Sequence, residues 1–249
     1  MAGHSKWANI KHRKAAQDAR KGKVFTRHIR ELVIATRLGG PAPEDNPRLR
    51  TAIDKALADN MKKDTIERAI ERGAGQAEGD DYEELTYEGY GPGGIAICIE
   101  AMTDNRNRTV SEVRHAFNKF GGNLGTDGSV AYLFNRQGVI SFGPDTPENR
   151  LMEAALEQGA EDVVVQEDAS KEVVTTPENY MDVKDGLAQS GFQADYGEVA
   201  MVPVTRISLD EEQAETILKL LEWLEELDDV QNVYSNADFP SSVLDKPDS

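Results

Sequence analysis

A single cysteine, Cys98, stands among 249 residues. That excludes an internal disulfide and fits a reducing compartment. No apolar run approaches the roughly 18 residues that a membrane-spanning helix requires. The opening stretch MAGHSKWANIKHRK is basic, but it has no apolar core and no small-residue cleavage site, so it does not read as a secretory signal. It leads directly into a patterned helix, unlike a transit peptide. The expected location is therefore cytoplasmic. Histidine is also scarce: His4, His12, His28 and His115 are scattered without metal-ligand spacing. No nucleophile elbow, zinc-protease motif or Gly-Lys-Ser/Thr phosphate loop is present. Catalytic residues, metal, cofactor and small-molecule substrate thus all go unnominated, and the expectation is a non-enzyme.

Charge is plentiful and unevenly placed. The chain carries 28 Lys and Arg against 45 Asp and Glu, a net charge of −17. Residues 1–75 nevertheless hold 17 basic and nine acidic side chains, an excess of eight positive charges. The remainder holds 11 basic and 36 acidic ones. A basic head on an acidic body is a recognised mark of a polyanion-binding arm. The body would repel nucleic acid outside the chosen contact.

Periodicity divides the chain in the same place. Residues 24–37 put Ile29, Leu32, Val33 and Thr36 on one helical face, and Gly39-Gly40 stops that helix. Asn46-Pro47 gives an N-cap and a first-turn proline for a second helix, with Leu49, Ile53, Ala56 and Leu57 inside. Asp64 and Glu67 read as a capping box for a third, ended by Gly73. The polar GAGQAEGDD segment (73–81) marks the first boundary.

Beyond it the period becomes two. Residues 83–90 and 94–102 read as a hairpin around Gly91-Pro92-Gly93-Gly94. A helix over 109–120, capped by Thr109 and Glu112, and a strand at 129–134 follow. Strands at 138–142, 162–166, 172–176 and 198–202, with helices at 147–158 and 178–190, give the β-α-β-β-α-β order of a ferredoxin-like unit. A helix at 210–227 and a strand at 230–235 then complete the sheet begun at 83–134. The tail DFPSSVLDKPDS is expected to fray. The expected fold class is α+β with three domains. A basic helical domain spans 1–78, a discontinuous α/β domain spans 79–135 plus 204–240, and a ferredoxin-like domain spanning 136–203 is inserted in it.

The candidate nucleic-acid contacts are Lys6, Lys11, Arg13, Lys14, Arg20, Lys21, Lys23, Arg27 and Arg30, with Arg37 continuing the run. Their physical use is phosphate neutralisation with counterion release, indifferent to sequence. Trp7 and His12 lie among them and are suited to stacking on bases. Arg106 and Arg108 flank a helix start, where free amides also attract phosphate. The competing reading is a solvated basic face, or one that binds the acidic body of its own chain or of another copy. Cys98 alternates with Ile95, Ile97 and Ile99 and reads as a buried small apolar side chain. The glycine-rich stretches 91–94 and 121–125 read as turns and connections.

Six blocks, MAGHSKWANIKHRK, KVFTRHIREL, NPRLR, YEGYGPGG, DNRNRTVSEVRHAF and GGNLGTDGSVAYLF, together resemble the YebC/PmpR family, which includes a mitochondrial translational activator of cytochrome c oxidase. The resemblance covers roughly residues 1–240. It implies a cytoplasmic protein with a helical first domain and two α/β domains. It also implies either a DNA-binding transcriptional regulator or a ribosome-associated factor that aids translation of difficult stretches such as proline runs. It carries no catalytic residues. The chain departs from the family at Asn60-Met61-Lys62-Lys63-Asp64, where proline is frequent. The partners implied are DNA, ribosomal RNA on the ribosome, or both. A protein-interaction module that self-associates without nucleic acid is the remaining alternative.

Overall fold

The structure is a computed structural model that describes residues 21–75, 82–166 and 168–244. Three helices form the head: α1 (Lys21–Gly39), α2 (Pro47–Ala58) and α3 (Lys63–Ala74). Leu32, Val33, Leu49, Ala56, Ile66 and Ala69 close a small core in which no described residue of the body takes part. Gly40 leaves α1 at φ 86°, a left-handed conformation that glycine adopts without Cβ strain. Asn46 caps α2, its side-chain oxygen accepting from the Leu49 amide, while Pro47 supplies the first turn.

Three expectations for the head change. Lys62, not Asp64, is the N-cap of α3, and no side chain caps it, so the capping box does not form. Gly73 does not end α3 but lies buried within it: a Cβ there would sit 2.6 Å from the Val33 carbonyl oxygen. Its role is to let α1 and α3 cross closely. Leu57, expected inside, is 39% exposed.

The body holds two antiparallel four-stranded sheets. In the first, β1 (Glu83–Tyr90) and β2 (Ala96–Thr103) form the expected hairpin. The short β3 (Asn123–Leu124) flanks β1, and β9 (Val230–Ser235) flanks β2, giving the order β3-β1-β2-β9. The C-terminal segment therefore completes the sheet begun at residue 83. Residues 129–134 are not the predicted strand; a helical turn at 131–133 precedes β4 (Phe134–Phe142). The second sheet, ordered β5-β6-β4-β7, adds β5 (Asp162–Val165), β6 (Lys171–Thr175) and β7 (Tyr196–Pro203). With α5 (Glu148–Glu157) and α6 (Tyr180–Gln189) on one face it is the ferredoxin-like unit, lying in sequence between the parts of the first sheet. The fold is α+β, as expected. In α5, Leu151 and Ala155 are buried and Leu156 is 56% exposed.

Strand β2 is covered on both faces. Ile97, Ile99 and Ala101 pack against α4 (Arg106–Lys119) and α7 (Glu211–Glu225). Ala96 and Cys98 pack with Phe134, Ala200 and Tyr234 toward the second sheet. Cys98 is 1% exposed, and burial pushes its thiol up to about 12. The tail does not fray before residue 244. The short β8 (Ile207–Ser208) and β10 (Ala237–Asp238) pair in parallel, and Phe239 and Val243 are buried in the first core. No described helix is long and apolar enough to cross a membrane.

Candidate nucleic-acid interface

Lys23, Arg27 and Arg30 stand four and three residues apart, so they share one stripe of α1, away from its apolar face. That stripe meets the C-terminal end of α7. The last carbonyls of a helix lack intrahelical donors and carry its negative dipole end. α7 has no basic residue in its last turn; α1 supplies the cations instead. Lys23 Nζ donates to the Glu226 carbonyl at 2.7 Å and to its carboxylate at 2.9 Å. It lies 3.9 Å from the Asp228 carboxylate. Arg27 donates to the Glu225 carbonyl. Burial pulls the Arg27 guanidinium below its ordinary value despite Glu225, Glu226 and Asp228 nearby. Arg30 donates to the Asp228 carbonyl, approaches the Met102 carbonyl at 3.4 Å and stacks over Tyr82.

The loop before α4 arrives at the same place from the body. Asn105 caps α4, accepting from the Arg108 amide, so the cap lies four residues before the predicted Thr109. The Asn side chain wins because it reaches the first-turn amide from outside the helix. Thr109 falls inside α4, fully buried, with its hydroxyl 2.8 Å from the Asp229 carboxylate. Thr103 donates to that carboxylate at 3.0 Å, and Arg108 straddles it with contacts of 2.7, 2.9 and 3.1 Å. Arg30 lies 3.3 Å away on the head side. Burial alone would raise the Asp229 carboxyl; hydrogen bonds from Arg108, Thr109 and Thr103 overcome this and hold it below the usual range. The pair Asp228-Asp229 reads from sequence as a solvated helix end. Asp228 is exposed, but Asp229 is 1% exposed and is the junction of head and body.

The candidate contacts therefore divide. Lys23, Arg27 and Arg30 line the acidic end of α7. Arg108 is committed to Asp229 and Asp104. Arg106 is exposed and makes no ion pair among the described residues. Lys21 opens α1, its side chain outside the described part. Lys6, Trp7, Lys11, His12, Arg13, Lys14 and Arg20 lie outside the described residues. In sequence, residues 225–229 carry only the local mark of an acidic, cation-free helix end, which does not name α1 as its partner.

Further bridges between head and body are ionic. Arg48 of α2 binds Glu31 at 2.7 Å and reaches Glu84. Burial opposes its charge, and these two carboxylates more than compensate, holding it above its ordinary value. Lys184 binds Asp54 at 2.7 Å, and Lys55 stands 4.0 Å from Glu198. Between head and sheets lies a cleft of about 1400 Å³. Among the described residues its lining includes twelve carboxylates, such as Glu84, Glu100, Asp195 and Glu198, against six Lys and Arg. A phosphate polymer is repelled from that cleft. Gly93, Gly94 and Gly121 take φ between 73° and 77°, as turns and helix ends do, consistent with the reading of 91–94 and 121–125 as connections. Among the described residues no three His, Cys, Asp or Glu side chains group as a metal site would require.

Comparison with known proteins bears on the whole chain. The TACO1/YebC protein N-terminal domain matches residues 5–76, and the TACO1/YebC second and third domain matches residues 82–237. The chain is 62% identical to the probable transcriptional regulatory protein IL1088 of Idiomarina loihiensis, covering 100% of both chains. It is 62% identical to the transcriptional regulatory protein PmpR of Pseudomonas aeruginosa, covering 98% of each. The crystal structure of the conserved hypothetical protein Aq1575 from Aquifex aeolicus superposes with a TM-score of 0.81 at 50% identity, covering 92% of this chain and 95% of that one.

Proposed function

This chain belongs to the TACO1/YebC family, the YebC/PmpR family, and from that membership we propose that it is a non-enzymatic, nucleic-acid-binding regulator of gene expression, acting on transcription as a DNA-binding protein. The names of its relatives, transcriptional regulatory proteins, support the regulatory role. The observation that carries nucleic-acid binding is charge segregation: residues 1–75 have eight excess positive charges on a chain of net −17. Lys6, Lys11, Arg13, Lys14 and Arg20 neutralise phosphates, and Trp7 and His12 stack on exposed bases.

A second reading, binding of ribosomal RNA by a translation factor, is favoured by one structural observation. A duplex reader places a helix with free side chains in the major groove. In α2 the cations are occupied: Arg48 by Glu31 and Glu84, Arg50 by the Glu44 carbonyl at 3.1 Å, and Lys55 beside Glu198. Single-stranded and looped RNA needs no such helix.

Binding of the full chain to promoter duplex, random duplex and purified ribosomes in rising salt tests both readings. Duplex discrimination that survives salt supports DNA regulation. Ribosome co-sedimentation weakened by Lys11→Glu/Arg13→Glu/Lys14→Glu supports the second reading. Absence of binding to all three at low ionic strength refutes the proposal.

A further inference from the structure

The stripe Lys23, Arg27 and Arg30 is a cationic surface of the head, yet it faces residues 225–229. What it touches there is chemically close to a nucleic-acid backbone: a row of carbonyl and carboxylate oxygens. We infer that residues 225–229 act as an internal polyanion occupying a phosphate-binding stripe on α1, and that a nucleic-acid strand takes their place when the head lifts from the body. This inference rests on the reading above that the partner is nucleic acid.

Three features make the contact exchangeable. First, the head's core is closed within α1, α2 and α3 and shares no cluster with the body, so lifting the head opens no joint core among the described residues. Second, the outer pairs are wet. The Lys23 side chain is 43% exposed, Glu226 52% and Asp228 77%. Ion pairs of this kind contribute little and are screened by salt. Third, the acidic segment has its own anchor. Asp229 remains held by Arg108, Thr103 and Thr109, all body residues, when Arg30 departs. The donors freed on α1 rise along the helix by about 6 Å from Lys23 to Arg27 and about 4.5 Å from Arg27 to Arg30. They would extend the grip of the preceding arm along one strand, adding released counterions.

The test compares two variants of equal charge change. Glu226→Gln/Asp228→Asn removes the outer acidic partners of α1. Glu153→Gln/Glu157→Gln removes two exposed carboxylates on α5, a helix that packs in the core of the second sheet. Affinity of the full chain for a fluorescein-labelled single-stranded RNA 20-mer is measured at fixed low salt, with thermal unfolding as a check on folding. The expected result is roughly a tenfold gain for the first variant and little change for the second. Adding Lys23→Ala to the first variant should cancel most of its gain. Equal gains from both variants, or a gain that Lys23→Ala does not reduce, reflect net charge alone and overturn the inference while leaving nucleic-acid binding standing. No binding by any form, wild type included, refutes the functional reading and this inference with it.

Discussion

Arg30, in the first described helix, lies 3.3 Å from the carboxylate of Asp229, near the far end of the chain. Arg108 holds the same carboxylate at 2.7 Å. The head and the discontinuous sheet thus meet at one buried anion, with the exposed pairs of Lys23 around it.

The two partners of this junction should respond unequally to removal. Arg108→Ala leaves a carboxylate that is 1% exposed without its main counter-ion, and should lower stability by about 3 kcal/mol. Asp229→Asn leaves Arg108, 42% exposed, free to find water, and should cost only about 1–2 kcal/mol. Because the folded Asp229 carboxyl sits below its ordinary value, its contribution is present above the unfolded carboxylate pKa and fades as pH falls toward the folded one. Denaturant unfolding of both variants from neutral pH into the acid range measures this. The wild type should lose stability that Asp229→Asn has already lost.

Glu88 offers a second buried carboxylate with a different partner set. It is 6% exposed and accepts from the amides of Gly128, Val130 and Ala131 at 2.7–2.8 Å. Burial raises such a group, but the three amides outweigh it and its pKa is lowered. Glu88→Gln should destabilise by about 1–3 kcal/mol, because one amide oxygen cannot serve three donors. Hydrogen exchange at Val130 and Ala131 should accelerate most; unchanged protection there would show that the loop is held by other contacts.

Gly73→Ala sets two effects against each other. Alanine favours a helix interior by roughly 0.5–1 kcal/mol over glycine. Its Cβ, however, would lie 2.6 Å from the Val33 carbonyl and 2.8 Å from Thr36 Cβ. Overpacking against backbone costs about 1–3 kcal/mol, so the net change should be destabilising. Thermal unfolding followed by circular dichroism reads the sign; a rise in melting temperature would mean that α1 and α3 separate without cost.

Cys98 should not react with a thiol reagent at pH 8 in the native protein, since it is buried and its thiol is pushed up to about 12. One thiol should appear on unfolding. Reaction at native rates near those of a free thiol would place residue 98 outside the inter-sheet cluster.

Much of this was legible from residue order. Cys98 alternating with Ile95, Ile97 and Ile99 announced a strand with a buried thiol, and Asn46-Pro47 announced a helix start. Local chemistry misled where a tertiary partner competed. Thr109 has the composition of a cap, but Asp229 claims its hydroxyl and Asn105 caps instead. Gly73 looks like a stop, but it is the point where α1 passes. The cationic stripe of α1 was legible as well. Its facing acids, about two hundred positions away, were not, because nothing in local spacing pairs residue 27 with residue 225.

The most direct measurement of the central claim is the slope of nucleic-acid affinity against salt for the full chain and for Lys11→Glu/Arg13→Glu/Lys14→Glu. A basic head that grips phosphates predicts a steep loss of affinity from 50 to 200 mM salt, with a shallower slope and weaker binding in the variant. Affinity that ignores salt, or a variant that binds as the wild type does, would contradict it.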